Sequence, residues 1–265
     1  MSNVPYLSRI CIYPVKSLES MSLSSASLLA SGAIQHDRTF ALIDEQGKFV
    51  NGKRHPRVHR LRSRLDLAER VLTLSVQDTE QEATFCLDTQ REGLNAWLSN
   101  YFDCVVTVVE NTASGFPDYT ETLGPTVIST ATLQVVASWF PDLDEQTMRL
   151  RLRANLEIGG VPAFWEDRLV TSAESVVSCR IGDVQFEGLK PCQRCVVPSR
   201  DPSTGEAFPD FQEIFMKKRK ESLPSWATRS RFNHFYRLSC QTRVPASEVG
   251  KRLHVGDQVS IANVL

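Results

Sequence analysis

The pair Cys192-Gln193-Arg194-Cys195 sets two thiols three residues apart, with Lys190, Pro191, Pro198 and Arg200 around them. This run follows an expected strand and closes on Asp201-Pro202-Ser203-Thr204-Gly205, whose Pro and Gly suit a tight turn. Cys195 is therefore expected at a strand end or in a loop. Positive neighbours stabilise a thiolate, the form that attacks an electrophile or binds a metal. A structural zinc site is disfavoured, because no second Cys-x-x-Cys or His-x-x-x-His pair supplies the other two ligands. A thioredoxin-like dithiol is disfavoured too, since Val-Val-Pro-Ser-Arg-Asp-Pro does not continue as a helix. Two buried structural cysteines are the plain alternative, but the flanking Arg, Lys and Pro favour a thiol with a function.

Basic clusters are the second chemical signal. Arg149-Leu150-Arg151-Leu152-Arg153 alternates, so as a strand it presents three arginines on one face. Such a face is commonly just solvated; the functional reading is an anion site, because guanidinium groups take phosphate bidentately. Lys53-Arg54-His55-Pro56-Arg57-Val58-His59-Arg60 and the Lys217–Lys220 run extend that field. Tyr13-Pro14-Val15-Lys16-Ser17 adds a lysine and a hydroxyl just after a strand. Neither Gly-x-x-x-x-Gly-Lys-Ser/Thr nor Gly-x-Gly-x-x-Gly occurs, which disfavours nucleotide binding by those loops. The five histidines lack metal-ligand spacing.

The elements that must position these groups are mostly strands. One is expected over 7–13, stopped by Pro14. A hairpin is expected over 38–50 with Gly47 at its turn, and a second pairs 71–76 with 83–87. Leu94, Trp97, Leu98 and Tyr101 share a helix face, with Asp88 or Thr89 as cap. Another strand covers 105–109. The Ser-, Gly- and Pro-rich stretch 111–125 is a loop, with a domain boundary near 118. Beyond it, Ser129 is expected to cap a helix carrying Leu133, Val136, Ala137 and Phe140. A strand is expected over 152–158, and Gly-Asp turns lead into strands near 182 and 256. A short helix is expected around Phe211, Ile214 and Phe215. Many short strands with few helices give a strand-rich α+β class in two linked units, 1–118 and 119–265, not a doubly wound parallel sheet.

Composition narrows the function. The 265 residues carry 30 Lys and Arg against 31 Asp and Glu, a net charge of −1, which argues against a nucleic-acid track. With 42% hydrophobic and 23% charged residues the chain is an ordinary globular protein, and disorder is excluded. No apolar stretch approaches the roughly 20 residues of a membrane span. The start Met1-Ser2-Asn3-Val4-Pro5-Tyr6 has no secretory or organellar pattern. Seven cysteines, an odd number, are expected as reduced thiols in the cytoplasm.

Taken in order, Tyr13-Pro14-Val15-Lys16-Ser17, Asp37-Arg38-Thr39-Phe40, Arg151-Leu152-Arg153-Ala154-Asn155 and Cys192-Gln193-Arg194-Cys195 through Gly205 resemble the MOSC-domain proteins with an N-terminal MOSC β-barrel domain. The amidoxime-reducing component of mitochondria and its bacterial homologues are the relatives in view. The resemblance runs from about residue 7 to Ile261 and includes the closing Val255-Gly256-Asp257. It implies a β-barrel-like first domain, a MOSC β-barrel with short helices, and a molybdenum cofactor whose pyranopterin ends in a phosphate. Cys195 then matches the molybdenum ligand and catalytic centre, in keeping with the preference of such a centre for soft thiolates. Lys16, Ser17, Arg38 and Arg153 match residues that hold the pterin and its phosphate. Ser129 and Thr132 match a helix start that touches the cofactor, and Arg194 lies in the same pocket.

The resemblance further implies reduction of small N-hydroxylated compounds, or related N–O and S–O bonds. Pro198-Ser199 stands where the amidoxime-reducing branch has Thr-Thr, so the substrate side is expected to differ. No Cys-x4-Cys-x2-Cys run is present, so electrons are expected from a separate ferredoxin or flavin reductase. The alternative from another class is a sulfur carrier, since MOSC domains also occur in molybdenum-cofactor sulfurases. There Cys195 or Cys192 would hold a persulfide. With no pyridoxal-phosphate domain in this chain, a desulfurase would act in trans. A storage or delivery module without turnover is the third reading.

Overall fold

Residue Tyr6 starts a strand that ends up between its own successor and a strand from the far half of the chain. The computed structural model describes residues 4–119, 121–172 and 174–264. In the first half run β1 (Tyr6–Ile12), β2 (Met21–Leu23), β3 (Ser25–Ser27), β4 (Phe40–Asp44), β5 (Leu61–Asp66), β6 (Val71–Val76) and β7 (Glu82–Cys86). They are followed by α1 (Arg91–Phe102) and β8 (Val106–Glu110). The second half has β9 (Thr126–Ser129), α2 (Thr130–Ala137), α3 (Glu145–Leu152), β10 (Leu156–Gly159), β11 (Val177–Ile181) and β12 (Val184–Gln193). It ends with α4 (Phe211–Glu221), β13 (Arg237–Arg243), β14 (Arg252–His254) and β15 (Val259–Val264).

Eight strands form one sheet in the order β15-β11-β12-β13-β9-β10-β1-β2. All neighbours are antiparallel except β9 and β10, which α2 and α3 link as a crossover. The class is α+β and strand-rich, but among the described residues no ladder closes this sheet into a barrel. Its two ends meet through a single bridge between Tyr6 and Gln258 and through the small β14–β3 pair. The sheet's apolar side gathers Leu7, Ile10, Ile158, Ile181 and Phe186 into one core. A second core holds Phe40, Leu61, Leu74, Leu94, Leu98 and Val108, between the β5-β6-β7 sheet, the β4–β8 pair and α1. A third lies among α2, α3 and α4. Residues of 7–28 pack in the same core as strands of the second half.

The expected hairpins form, Val71 pairing with Cys86 and Ile43 with Phe49. Ser129 caps α2 by accepting the Thr132 amide. Helix α1 begins after Gln90 without a side-chain cap, in place of Asp88 or Thr89. The alternating 149–153 run is the main correction. It is helix, because Asp144 accepts the Thr147 amide and starts α3, whose buried face is Met148, Arg151 and Leu152. The strand expected from residue 152 therefore begins only at Leu156. Its three arginines part company: Arg149 pairs with Glu157, Arg151 goes inward, and Arg153 ends the helix in the left-handed conformation. The Lys217–Lys220 run belongs to α4, where Arg219 is wholly buried against Asp167 and its lysine neighbours are exposed and off the cavity wall, so it adds nothing to that anion field. Among the described residues no helix is long and apolar enough to cross a membrane.

Candidate functional site

Where the β1–β4 connection, the 51–62 segment, the 117–126 loop, the end of α3 and the end of β12 come together, they enclose a cavity of about 450 Å³. That size suits a small molecule or cofactor. Lys16, Ser17, Arg38, Arg153, Arg194 and Cys195 all line it, six residues from four separate parts of the chain.

Backbone geometry aims three of them. Ser17, Arg38 and Arg153 adopt φ of 75°, 51° and 54°, a left-handed conformation that costs a non-glycine residue of order 1 kcal/mol. Tyr13 is the platform between the two arginines. The Arg153 guanidinium lies 4.1 Å from its ring centroid and that of Arg38 lies 5.2 Å away. The Tyr13 hydroxyl donates to the Ala154 carbonyl at 3.1 Å, so the ring is fixed. Arg38 also pairs with Asp37, which accepts the Tyr13 amide. Arg153 donates to the Leu18 carbonyl at 2.7 Å. Lys16 is buried and donates from Nζ to Asp118 and to the Phe116 carbonyl, each at 2.8 Å. Burial lowers the Lys16 pKa, and the ion pair with Asp118 opposes that.

The two thiols differ. Cys192 lies near the end of β12, buried, and burial raises its pKa against the opposing pull of Arg194. Cys195 is two residues past the strand, half-buried, and ahead of the three-ten turn Val197–Ser199. Arg194 bridges to the Leu152 carbonyl and to Ser239 at 3.5 Å. The tight turn at 201–205 is present: Asp201 accepts the Ser203 and Thr204 amides, and Gly205 adopts φ 79°.

Ser129 and Thr132 are not on the cavity wall. Both are fully buried, bonded to one another at 2.7 Å, and the Thr132 hydroxyl donates to the Glu166 carboxylate at 3.1 Å. The start of α2 is closed by this carboxylate, so it offers no room for a phosphate. Of the 53–60 run, Lys53, Val58 and His59 reach the wall, while Arg57 and Arg60 are exposed.

The wall also holds groups that no sequence pattern marked, among them Arg62, Asp118 and Gln241. Eight lysines and arginines line the cavity against three carboxylates, Glu19, Asp37 and Asp118. Each of the three is already paired, with Arg62, Arg38 and Lys16 respectively. Five cations therefore face the cavity without a carboxylate from its wall. In addition, the buried Nε atoms of Arg62, Arg151, Arg194 and Arg200, Nε2 of His59 and Oε1 of Gln241 have no hydrogen-bond partner among the described residues. Buried polar atoms are seldom left so. Among the described residues no cluster of three or more His, Cys, Asp or Glu forms a self-sufficient metal cage.

Two family models match the chain in tandem, the MOSC N-terminal beta barrel domain over residues 4–103 and the MOSC domain over 126–260. Similar curated proteins include a molybdenum cofactor sulfurase of Caenorhabditis briggsae, 26% identical over 87% of this chain and 34% of the relative. The Homo sapiens molybdenum cofactor sulfurase is 20% identical over 80% of this chain and 28% of its own length. Molybdenum cofactor sulfurase 2 of Culex quinquefasciatus is 22% identical over 76% and 31%. The chain thus spans about a third of the length of these relatives. With both models matched across most of its length and in this order, the chain belongs to the MOSC-domain family.

Proposed function

We propose that the cavity holds a molybdenum cofactor and that the chain is an oxidoreductase acting on small N-hydroxylated compounds or related N–O and S–O bonds. The donor set fits such a group. Eight lysines and arginines against three carboxylates on the wall, with Arg153 and Arg194 among those that pair with none, suit a phosphate-bearing heterocycle. A half-buried thiol on the same wall suits a soft metal. When bound, the cofactor supplies two-electron oxygen-atom transfer, a chemistry no side chain here provides.

The chain's own residues have separable tasks. Lys16, Ser17, Arg38 and Arg153 hold the pterin and its phosphate, and Tyr13 keeps both arginines in place before anything binds. Cys195 would hold the metal through its sulfur, with Arg194 beside it on the wall. Pro198 and Val197 shape the wall beside it. Electrons come from a separate ferredoxin or flavin reductase. The observation that carries this reading is Cys195 on a cavity whose lysines and arginines outnumber its carboxylates. The test is anaerobic turnover of an aromatic amidoxime to the amidine, with reduced viologen as donor. The wild type is expected to consume viologen and make amidine in step, and Cys195→Ala to do neither; full activity in the variant contradicts the assignment.

The names of the relatives favour one second reading, a sulfur-carrier role with a persulfide on Cys195 or Cys192. It predicts a mass increment of about 32 Da, one sulfur atom, in protein free of molybdenum, and no amidoxime turnover.

A further inference from the structure

The cavity has a second cationic corner that the cofactor-holding residues do not use. It lies at the seam between the three-ten helix Pro56–Arg60 with the start of β5 and the 198–205 loop. Gly205 packs so closely there that a Cβ on it would sit 2.5 Å from the Pro56 carbonyl oxygen and 3.4 Å from the His59 Cβ. Arg62 crosses the seam, donating to the His59 carbonyl and, at 3.4 Å, to those of Pro202 and Ser203. Arg200 donates to the Gly205 carbonyl at 3.0 Å. Arg151, only 3% exposed, donates to the carbonyls of Pro198 and Arg200.

These backbone bonds hold three guanidinium groups in place without using them up. The Nε of each is buried and unpartnered, as is Nε2 of His59. Carboxylates offset part of the charge: Glu19 pairs with Arg62 at 3.0 Å, and Asp201 stands 3.7 Å from Arg151. Among the described residues no carboxylate lies within ion-pair distance of Arg200. Burial, with Arg153 and Arg200 nearby, pushes His59 down to about 4, so at neutral pH it is an uncharged hydrogen-bonding group in a positive field. Buried N–H donors set on fixed guanidinium groups call for an acceptor with several lone pairs and a negative charge.

We propose that this seam is an oxyanion site for the substrate, so that the preferred substrates carry a carboxylate or similar oxyanion. The inference rests on the cofactor reading above. Lys16, Ser17, Arg38 and Arg153 answer for the cofactor's phosphate from other parts of the chain. The seam instead shares the short segment Cys195–Arg200 with the thiol, and Pro198 lies between them on the wall.

The test titrates benzoate, and benzamide as its neutral isostere, into the protein as purified from a cofactor-producing host, by calorimetry. Molybdenum and pterin are assayed on the same samples. The wild type is expected to bind benzoate more tightly than benzamide. Arg200→Gln is expected to lose benzoate affinity about tenfold or more, the scale of one charge-assisted hydrogen bond, with cofactor content intact. Arg200→Lys, which keeps the charge but not the fork, falls between and guards against a folding artefact. The proposal is overturned if the wild type does not prefer benzoate, or if Arg200→Gln binds it as well. It is also overturned if Arg200→Gln sheds pterin instead, since the corner then holds the cofactor's phosphate. Wild-type protein lacking molybdenum and pterin contradicts the cofactor reading, and the benzoate-to-benzamide ratio still decides the seam.

Discussion

Beneath α2 and around the cavity the chain uses the same residue types to opposite ends. Under the helix, Arg219 is wholly buried and donates to both oxygens of Asp167, at 2.8 and 2.6 Å, with Phe164 and Phe232 rings on either side of its guanidinium. Glu166 takes the Ser129 amide and the Thr132 hydroxyl. The cation has its anion and the helix start has its acceptor, although Arg219 Nη1 and Glu166 Oε1 are left without a hydrogen-bond partner among the described residues. Around the cavity, the wall's three carboxylates are outnumbered, and guanidinium groups are propped on carbonyl oxygens or on Tyr13. Carbonyls orient an arginine without neutralising it. Residue type alone therefore does not tell an arginine's role: Arg38 and Arg62 line the cavity while paired with Asp37 and Glu19.

This contrast can be broken first at Arg219. Arg219→Ala leaves Asp167 buried and unpaired, and is expected to cost about 3–5 kcal/mol of stability. Pterin content per folded chain should hold, because Arg219 is not on the cavity wall. Denaturant unfolding with pterin assay checks both halves; pterin loss without destabilisation would break the comparison.

A smaller effect sharpens it. Burial, aided by Asp167, raises Glu166 from its usual value near 4.5 to about 7. The folded state thus holds a proton that the unfolded state has released between those values. Stability is fully present below about pH 4.5 and is lost as pH rises through about 7. Glu166→Gln mimics the protonated form, so at pH 8 it is expected to unfold at higher denaturant, by about 1–3 kcal/mol, and to match the wild type near pH 4.5. Equal stability of the two at pH 8 would mean that Glu166 carries its charge without cost.

How far the sequence reveals this follows from the range over which each signal acts. The two hairpins and the Ser129 cap were legible because alternation and capping are local. Arg149–Arg153 misled for the same reason: its period of two fits a strand, and only the Asp144 cap upstream and the burial of Met148, Arg151 and Leu152 make it helix. The open sheet was not legible, since its two ends come together only through residues such as Tyr6 and Gln258, far apart in the chain. At the site, Lys16, Ser17, Arg38, Arg153, Arg194 and Cys195 stood in recognisable motifs and do line one cavity. Ser129 and Thr132 stood in a motif too, but Glu166 occupies the space a ligand would need. Arg62, Asp118 and Gln241 reach the wall by the packing of distant segments, which leaves no trace in local pattern.

The most direct test of the central claim is molybdenum and released pterin per chain, in protein from a cofactor-producing host, for wild type beside Cys195→Ala. The account predicts about one of each in the wild type and a sharp fall of molybdenum in the variant, with the fold retained. No molybdenum and no pterin in either protein would contradict it, and leave a cavity whose cations serve some other anion.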